Sequence, residues 1–347
     1  MSAVGMHALD PGSGVASTGG AATMRVLLTT AYEPDRALMA LTEAAAIDRI
    51  RRHVLVEDPS TADLILFVEN AHYRDDPYYR RLRRHPWVRE FPDRVFMYNE
   101  TDRPWCVLPG LYCSMPRRSF DTSRQRAFCY AYTVNPFIAD DTAATQPDLL
   151  FSFLGAPTHK VRRRLYQLAD PDGLIEDTHS FSLWRALPPD EYEHRNRRYA
   201  SILARSKFVL CPRGVGTSTY RLFEAMQAGR APVLVSDQWV EPRGPNWGAF
   251  LLRVPEASVD MLPQILRNHE AEAAERGARA RRAWDEWFAP DVRFHSAVEA
   301  CASIAASRRP AGAFSTRALS FEYCRLRGRR ALSRLRAQAR RVPTVRR

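Results

Sequence analysis

Apolar runs and amphipathic stretches alternate along the chain in two series. In the first, residues 24–30 (MRVLLTT) pattern as an aliphatic, β-branched strand. Residues 62–69 (ADLILFVE) form the continuous apolar run that strands buried on both faces show. Residues 94–99 (RVFMYN) predict a third strand, with helical patterning at 35–53 and 78–85. The second series opens at residues 148–155 (DLLFSFLG), a buried strand ending in glycine, and continues with a helix over 158–169. Strands follow at 206–211 (SKFVLC), 231–236 (APVLVS) and 251–254, and helices at 217–227, 259–269 and 270–287. Strands alternating with helices predict α/β structure with parallel sheets. The aromatic stretch 101–136 patterns as irregular.

The two series join near residues 140–146. The expected organisation is a polar, disordered leader over 1–23, an α/β domain over 24–147, a second over 148–306, and a basic tail over 307–347. Two such domains facing each other make a cleft, and ligands of open α/β sheets sit beyond the carboxyl ends of the strands.

No run of 18 apolar residues exists, which argues against a transmembrane helix. The first 23 residues lack the basic start and apolar core of a secretory signal. The net charge of +12 suggests nucleic acid until it is located. Residues 307–347 hold 13 arginines and one acid, Glu322, which accounts for the whole excess. The body is therefore neutral, and no nucleic-acid partner is expected. The tail reads either as a basic amphipathic helix on an anionic membrane, with Leu332, Leu335 and Ala339 on one side, or as a solvated terminal helix. The six cysteines show neither a C-x-x-C pair nor zinc spacing and are expected as reduced, buried thiols.

One segment, CPRGVGTSTYRLFEAMQAGRAPVLVSD (residues 211–237), concentrates candidate chemistry. Pro212, Gly214 and Gly216 break the strand into a loop. Thr217, Ser218 or Thr219 can cap the next helix, whose open N–H groups favour an anion. Arg213 stands just ahead of that helix and Arg221 one turn in; forked guanidinium groups suit phosphate. Glu224 follows Arg221 by three residues and is either a surface ion-pair partner or an acceptor for ribose hydroxyls. Gly229 reads as the helix C-cap. Upstream, Lys160, Arg162 and Arg163 cluster at the second domain's first helix. Arg162 is the one expected to reach a diphosphate, the alternative being a solvated basic face.

The order Ser206, the apolar strand, Pro212-Arg213-Gly214, Arg221-Leu222-Phe223-Glu224-Ala225 and Gly229-x-x-Pro232-Val233 resembles the carboxyl-terminal signature of exostosin-like glycosyltransferases. LLFSFLGAPTHKVRRRL resembles the strand, glycine and arginine-bearing helix that open that family's second domain. The match runs over about 148–305. The resemblance implies a GT-B architecture: two Rossmann-like domains with the active site in the interdomain cleft. It also implies a nucleoside-diphosphate sugar in the second domain, a glycan or glycoconjugate acceptor in the first, and direct inverting displacement without cofactor or metal. A bacterial-type member is expected, cytoplasmic or peripheral at the inner face of the cell membrane. No membrane anchor and no second transferase domain of the animal kind is expected in these 347 residues.

Such a reaction needs a base on the first domain. Asp102 and Glu100 follow the third strand, and Glu69, with His72 behind it, ends the second. Each has a structural alternative, Asp102 as the cap of a turn before Pro104. Trp105, Tyr112, Tyr130 and Tyr132 are either core or a stacking platform for sugar. Trp239, Trp247 and Phe250 are expected to pack. Asp170-Pro171-Asp172 has an Asp-x-Asp pattern but reads as a proline turn. The rival readings are a fucosyltransferase-like enzyme using a guanine nucleotide sugar and a catalytically inactive binder of nucleotide or glycan.

Overall fold

Strand β3 (Leu64–Glu69), buried at every position, is the centre of the first sheet. It pairs in parallel with β1 (Arg25–Thr29) and β4 (Val95–Asn99). With β2 (Val54–Leu55), β5 (Gly110–Tyr112) and β6 (Gln125–Ala127) it makes a six-stranded parallel sheet, ordered β2-β1-β3-β4-β5-β6. Parallel pairing puts all carboxyl ends on one edge, where Glu69 is in register with Asn99 and Asn99 with Tyr112. The computed structural model describes residues 22–70, 76, 79–102, 104–132, 135–138, 145–178 and 188–307, with positions 328 and 332. The expected leader up to residue 21, His72, and the tail apart from Ser307 and those two positions lie outside the described residues.

Helix α1 (Arg36–Ala46) is shorter than its patterned stretch. Asp35 caps it, Oδ1 accepting from the N–H groups of Ala37 and Leu38. The basic run after β3 folds as two short helices, α2 (Arg80–Arg84) and α3 (Pro86–Glu90). The stretch expected to be irregular supplies β5 and β6. Both are three residues long, too short for a visible period. Gly110 makes β5 possible: its φ is +146°, and a Cβ there would strike the Met97 backbone.

The second sheet has five parallel strands in the order β11-β10-β9-β7-β8. These are β7 (Leu149–Gly155), β8 (Gly173–Asp177), β9 (Ser206–Pro212), β10 (Ala231–Val235) and β11 (Leu252–Arg253). β8 was not legible in the sequence; it is a half-buried edge strand of only five residues. Helices α4 (Lys160–Leu165), α5 (Pro189–Ala204), α6 (Tyr220–Gln227), α7 (Leu262–Asn268) and α8 (Ala273–Trp287) connect and cover the strands. Gly229 ends α6 with φ +62°. The last described helix, α9 (Pro290–Ser307), packs against α1, β5 and β6 of the first sheet. Arg126 Nε bonds Ser303 Oγ at 2.9 Å, and Arg293 Nη1 bonds Ala131 O at 2.5 Å. The architecture is α/β with two Rossmann-like sheets, as the GT-B expectation required.

Candidate active site

The two sheets meet where β9 runs through a loop into α6. Thr217 Oγ1 donates to Ser114 O across the seam at 2.9 Å, and Ser236 Oγ donates to Thr217 O at 2.7 Å. Helix α6 starts at Tyr220, later than expected. Thr219 holds the N-cap position but makes no side-chain cap bond. Ser218 Oγ is buried without a hydrogen-bond partner. All three hydroxyl residues are buried; none makes a side-chain cap bond, and Thr217 instead bonds across the seam. Tyr220 stacks on Tyr130 with centroids 3.7 Å apart and shares a 2.9 Å hydroxyl contact with Tyr132. Tyr130 and Tyr132 therefore pack against α6.

Arg162 and Arg221 converge on Phe153. Their guanidinium groups lie 5.6 and 5.2 Å from its ring centroid. Arg162 is only 7% exposed and bonds three carbonyls: Arg213 O at 3.1 Å, Ala156 O at 3.3 Å and Pro212 O at 3.2 Å. Arg221 Nε donates to Leu154 O at 2.7 Å. Burial, and then the neighbouring positive charge of Arg221, pull Arg162 down to about 9. Two glycines leave room for this pair: a Cβ on Gly155 would stand 2.8 Å from Arg221 Nη2, and one on Gly214 3.0 Å from Arg162 Nη2. Arg213 turns toward Glu256 (3.6 Å), and its Nε is buried without a partner.

One turn into α6, Glu224 is 8% exposed and accepts from Tyr199 Oη at 2.6 Å. Burial raises its pKa, against the opposing pull of Arg221 and the Tyr199 bond. It is not the surface ion-pair partner that the helix spacing allowed.

On the first sheet the three acidic candidates have different surroundings. Glu69 is wholly buried: Oε1 accepts from Ala31 N–H at 2.8 Å and Oε2 from Thr30 Oγ1 at 3.1 Å. Glu100 is 3% exposed, accepts from Ala131 N–H with one oxygen, and leaves the other buried without a partner. Burial pushes both carboxyl groups up to about 8, against those hydrogen bonds. Asp102 is exposed, and its Oδ1 lies against Gly216 of the facing loop. The seam thus gathers Asp102, Arg162, Arg213, Gly214, Gly216, Thr217 and Ser218, with Arg221 and Glu224 behind them on α6. It leaves Glu69 and Glu100 tied to the backbone of the first unit. Sequence reasoning missed Phe153, Tyr199, Ser114 and Glu256. Phe153 alone carried a signal, as a large ring two residues before the glycine ending β7.

Asp170 and Asp172 form the proline turn that was read, and Arg267 binds both, at 2.7 and 3.1 Å. Among the described residues, one group has metal-ligand geometry: His53, His295 and Glu299. It lies by Met24, at the opposite end of β1 from the seam. His53 Nδ1 accepts from Met24 N–H at 3.3 Å, which ties the ring to the backbone, and Nε2 stands 3.2 Å from Glu299 Oε1.

Residues 130–269 match the Exostosin GT47 domain. Exostosin-1 of Drosophila melanogaster is 34% identical over 96 residues, covering 26% of this chain and 13% of that protein. The Exostosin-1 homolog of Caenorhabditis elegans is 32% identical over 79 residues, covering 22% of this chain and 21% of its own length. The chain therefore spans only a small part of these curated relatives. A solved structure of Anabaena HepE in complex with UDP aligns with 81% of this chain and 100% of its own, at 10% identity and a TM-score of 0.37. Over residues 130–269, therefore, the chain is similar to the exostosin GT47 domain of these glycosyltransferases.

Proposed function

We propose that this chain transfers a sugar from a nucleoside-diphosphate sugar to a hydroxyl group of a glycan or glycoconjugate, with inversion and without a metal. The observation that carries the reading is the Arg162–Arg221 pair. Two guanidinium groups share one aromatic ring, and the hydrogen bonds they make go to carbonyls. Carbonyl bonds orient the groups without cancelling their charge, and holding two cations together is costly until an anion arrives. A diphosphate is the anion of matching shape, and Arg213 stands beside it on the same loop. Glu224, held by Tyr199, is placed to accept from a ribose hydroxyl.

In the displacement, the acceptor oxygen forms its bond to the anomeric carbon as the bond to phosphate oxygen breaks. The hydroxyl proton passes to a carboxylate, and the electron pair leaves on the diphosphate. The arginines take up that charge, which is the role a metal fills elsewhere. Asp102 is the carboxylate we assign as base, because it alone of the three acidic candidates is exposed and faces the loop.

The test is thermal stabilisation across a panel of nucleotide sugars, with and without chelator. A donor at 100 times its dissociation constant adds about 2.7 kcal/mol. No shift with any nucleotide sugar rejects the reading. A shift seen only with manganese rejects its metal-free part. A donor that binds but is turned over equally by wild type and Asp102→Asn rejects the assigned base.

A further inference from the structure

Tyr199 lies on α5, and its hydroxyl meets α6 at Glu224, donating to Oε2 at 2.6 Å. Helix spacing puts it there. Asn196, Ala200 and Leu203 are buried on α5, and Tyr199 stands on the same stripe with its ring against the apolar core. The two helices are also braced by one short stretch of chain. Asn135 Nδ2 donates to Asn196 O on α5 at 2.9 Å, and Gln227 Nε2 of α6 donates to Ile138 O at 2.9 Å. The segment 135–138 thus holds α5 and α6 together and fixes how Tyr199 faces Glu224.

The hydroxyl acts on Glu224 in two ways. Burial, and then the charge of Glu224, hold Tyr199 well above the usual phenol range, so it keeps its proton and donates. Burial also raises Glu224, while the charge of Arg221 and the Tyr199 bond oppose that rise. The bond therefore favours the ionised carboxylate, which only accepts hydrogen bonds. It also commits Oε2. Oε1 carries no hydrogen bond among the described residues and is the oxygen left for a ligand's hydroxyl. Packing against the core needs only the ring, so it leaves the hydroxyl of Tyr199 unexplained.

We infer that Tyr199 is a positioning residue for the donor's ribose: through Glu224 it makes the site select ribonucleoside diphosphates over forms that lack a ribose hydroxyl. The inference rests on the nucleotide reading of the site and adds to it a residue on another helix and a rule of selection. A deoxyribose has no proton to give to Oε1, so the charge-assisted bond that the pair is built to accept is not made.

The test is isothermal titration with UDP and with GDP, each beside its 2′-deoxy and 3′-deoxy forms, at about pH 6 and about pH 8. It compares wild type with Tyr199→Phe, which removes only the hydroxyl, and with Glu224→Leu, which removes both carboxylate oxygens. Wild type is expected to bind one ribonucleotide at least about tenfold more tightly than one of its deoxy forms. Tyr199→Phe is expected to lose about tenfold in affinity for that ribonucleotide, more at the lower pH, and to bind the deoxy form as wild type does. A Tyr199→Phe variant with the wild-type preference overturns the inference. So does equal weakening toward both forms, which marks lost packing. Where Glu224→Leu abolishes the preference and Tyr199→Phe does not, the ribose contact stands and Tyr199 has no part in it. Wild type that binds neither nucleotide, or binds ribo and deoxy forms alike, rejects the ribose contact and the inference with it.

Discussion

Asp102 and Gly216 belong to opposite units, yet a Cβ placed on Gly216 would stand 2.6 Å from Asp102 Oδ1 and 2.7 Å from Ser114 Oγ. The missing side chain at 216 is what lets a carboxylate of the first sheet lie against the loop that leads into α6. Gly216→Ala therefore has to push Asp102 away or part the seam. Overpacking of this kind costs about 1–3 kcal/mol, and a shift of the base by about 1 Å lowers turnover about a hundredfold. Steady-state rates beside a melting curve check this; wild-type kcat in Gly216→Ala would exclude Asp102 as base.

Arg221→Lys keeps a positive charge but loses the fork that bonds Leu154 O while lying over Phe153. Donor affinity is expected to fall about tenfold, equivalent to about 1.4 kcal/mol, with little change in melting temperature. Titration with the donor identified by the thermal panel reads this directly. An unchanged dissociation constant would remove Arg221 from the phosphate site.

Glu69 and Glu100 give the fold a pH dependence whose sign is fixed by burial. Both stay protonated in the folded chain up to about 8, whereas unfolded glutamate titrates at about 4.3. Their contribution to stability is complete below the unfolded value and is lost as pH rises through about 8. Glu69→Gln, which preserves the shape, should flatten the decline in melting temperature between about pH 5 and pH 8. Parallel curves for wild type and variant would show that Glu69 is ionised in the fold.

Gly110→Ala tests the fold alone. The substitution adds a side chain at φ +146° and drives it into Met97. The expected loss is about 4 kcal/mol or more, read by urea denaturation. A variant as stable as wild type would mean that β5 does not pair with β4 as described.

The long buried strands and the Pro-Arg-Gly loop were legible because each carries a local signal: a continuous apolar run, or ring and glycine punctuation. β5, β6 and β8 were not, since short or half-buried strands have no period to read and Gly110 reports only a broken pattern. The arginines at 162, 213 and 221 were recognisable as a set. Their destinations were not, because a guanidinium bonded to a carbonyl 50 or more residues away depends on how the sheets fold together. The three acids behind the first sheet looked alike in sequence. Burial separates them, and burial is a property of the packed molecule.

The path of α9 sets an order on how the chain matures. Val292, Phe294, Ala297, Val298, Cys301 and Ile304 are buried, and the helix lies on α1, β5 and β6. During synthesis the amino-terminal unit therefore leaves the ribosome with an apolar face uncovered, and it stays so until the second unit has been made. A nascent chain halted before Pro290 should expose that face to chaperones and to its own copies, and α9 acts as a latch that closes only after the second unit has been made.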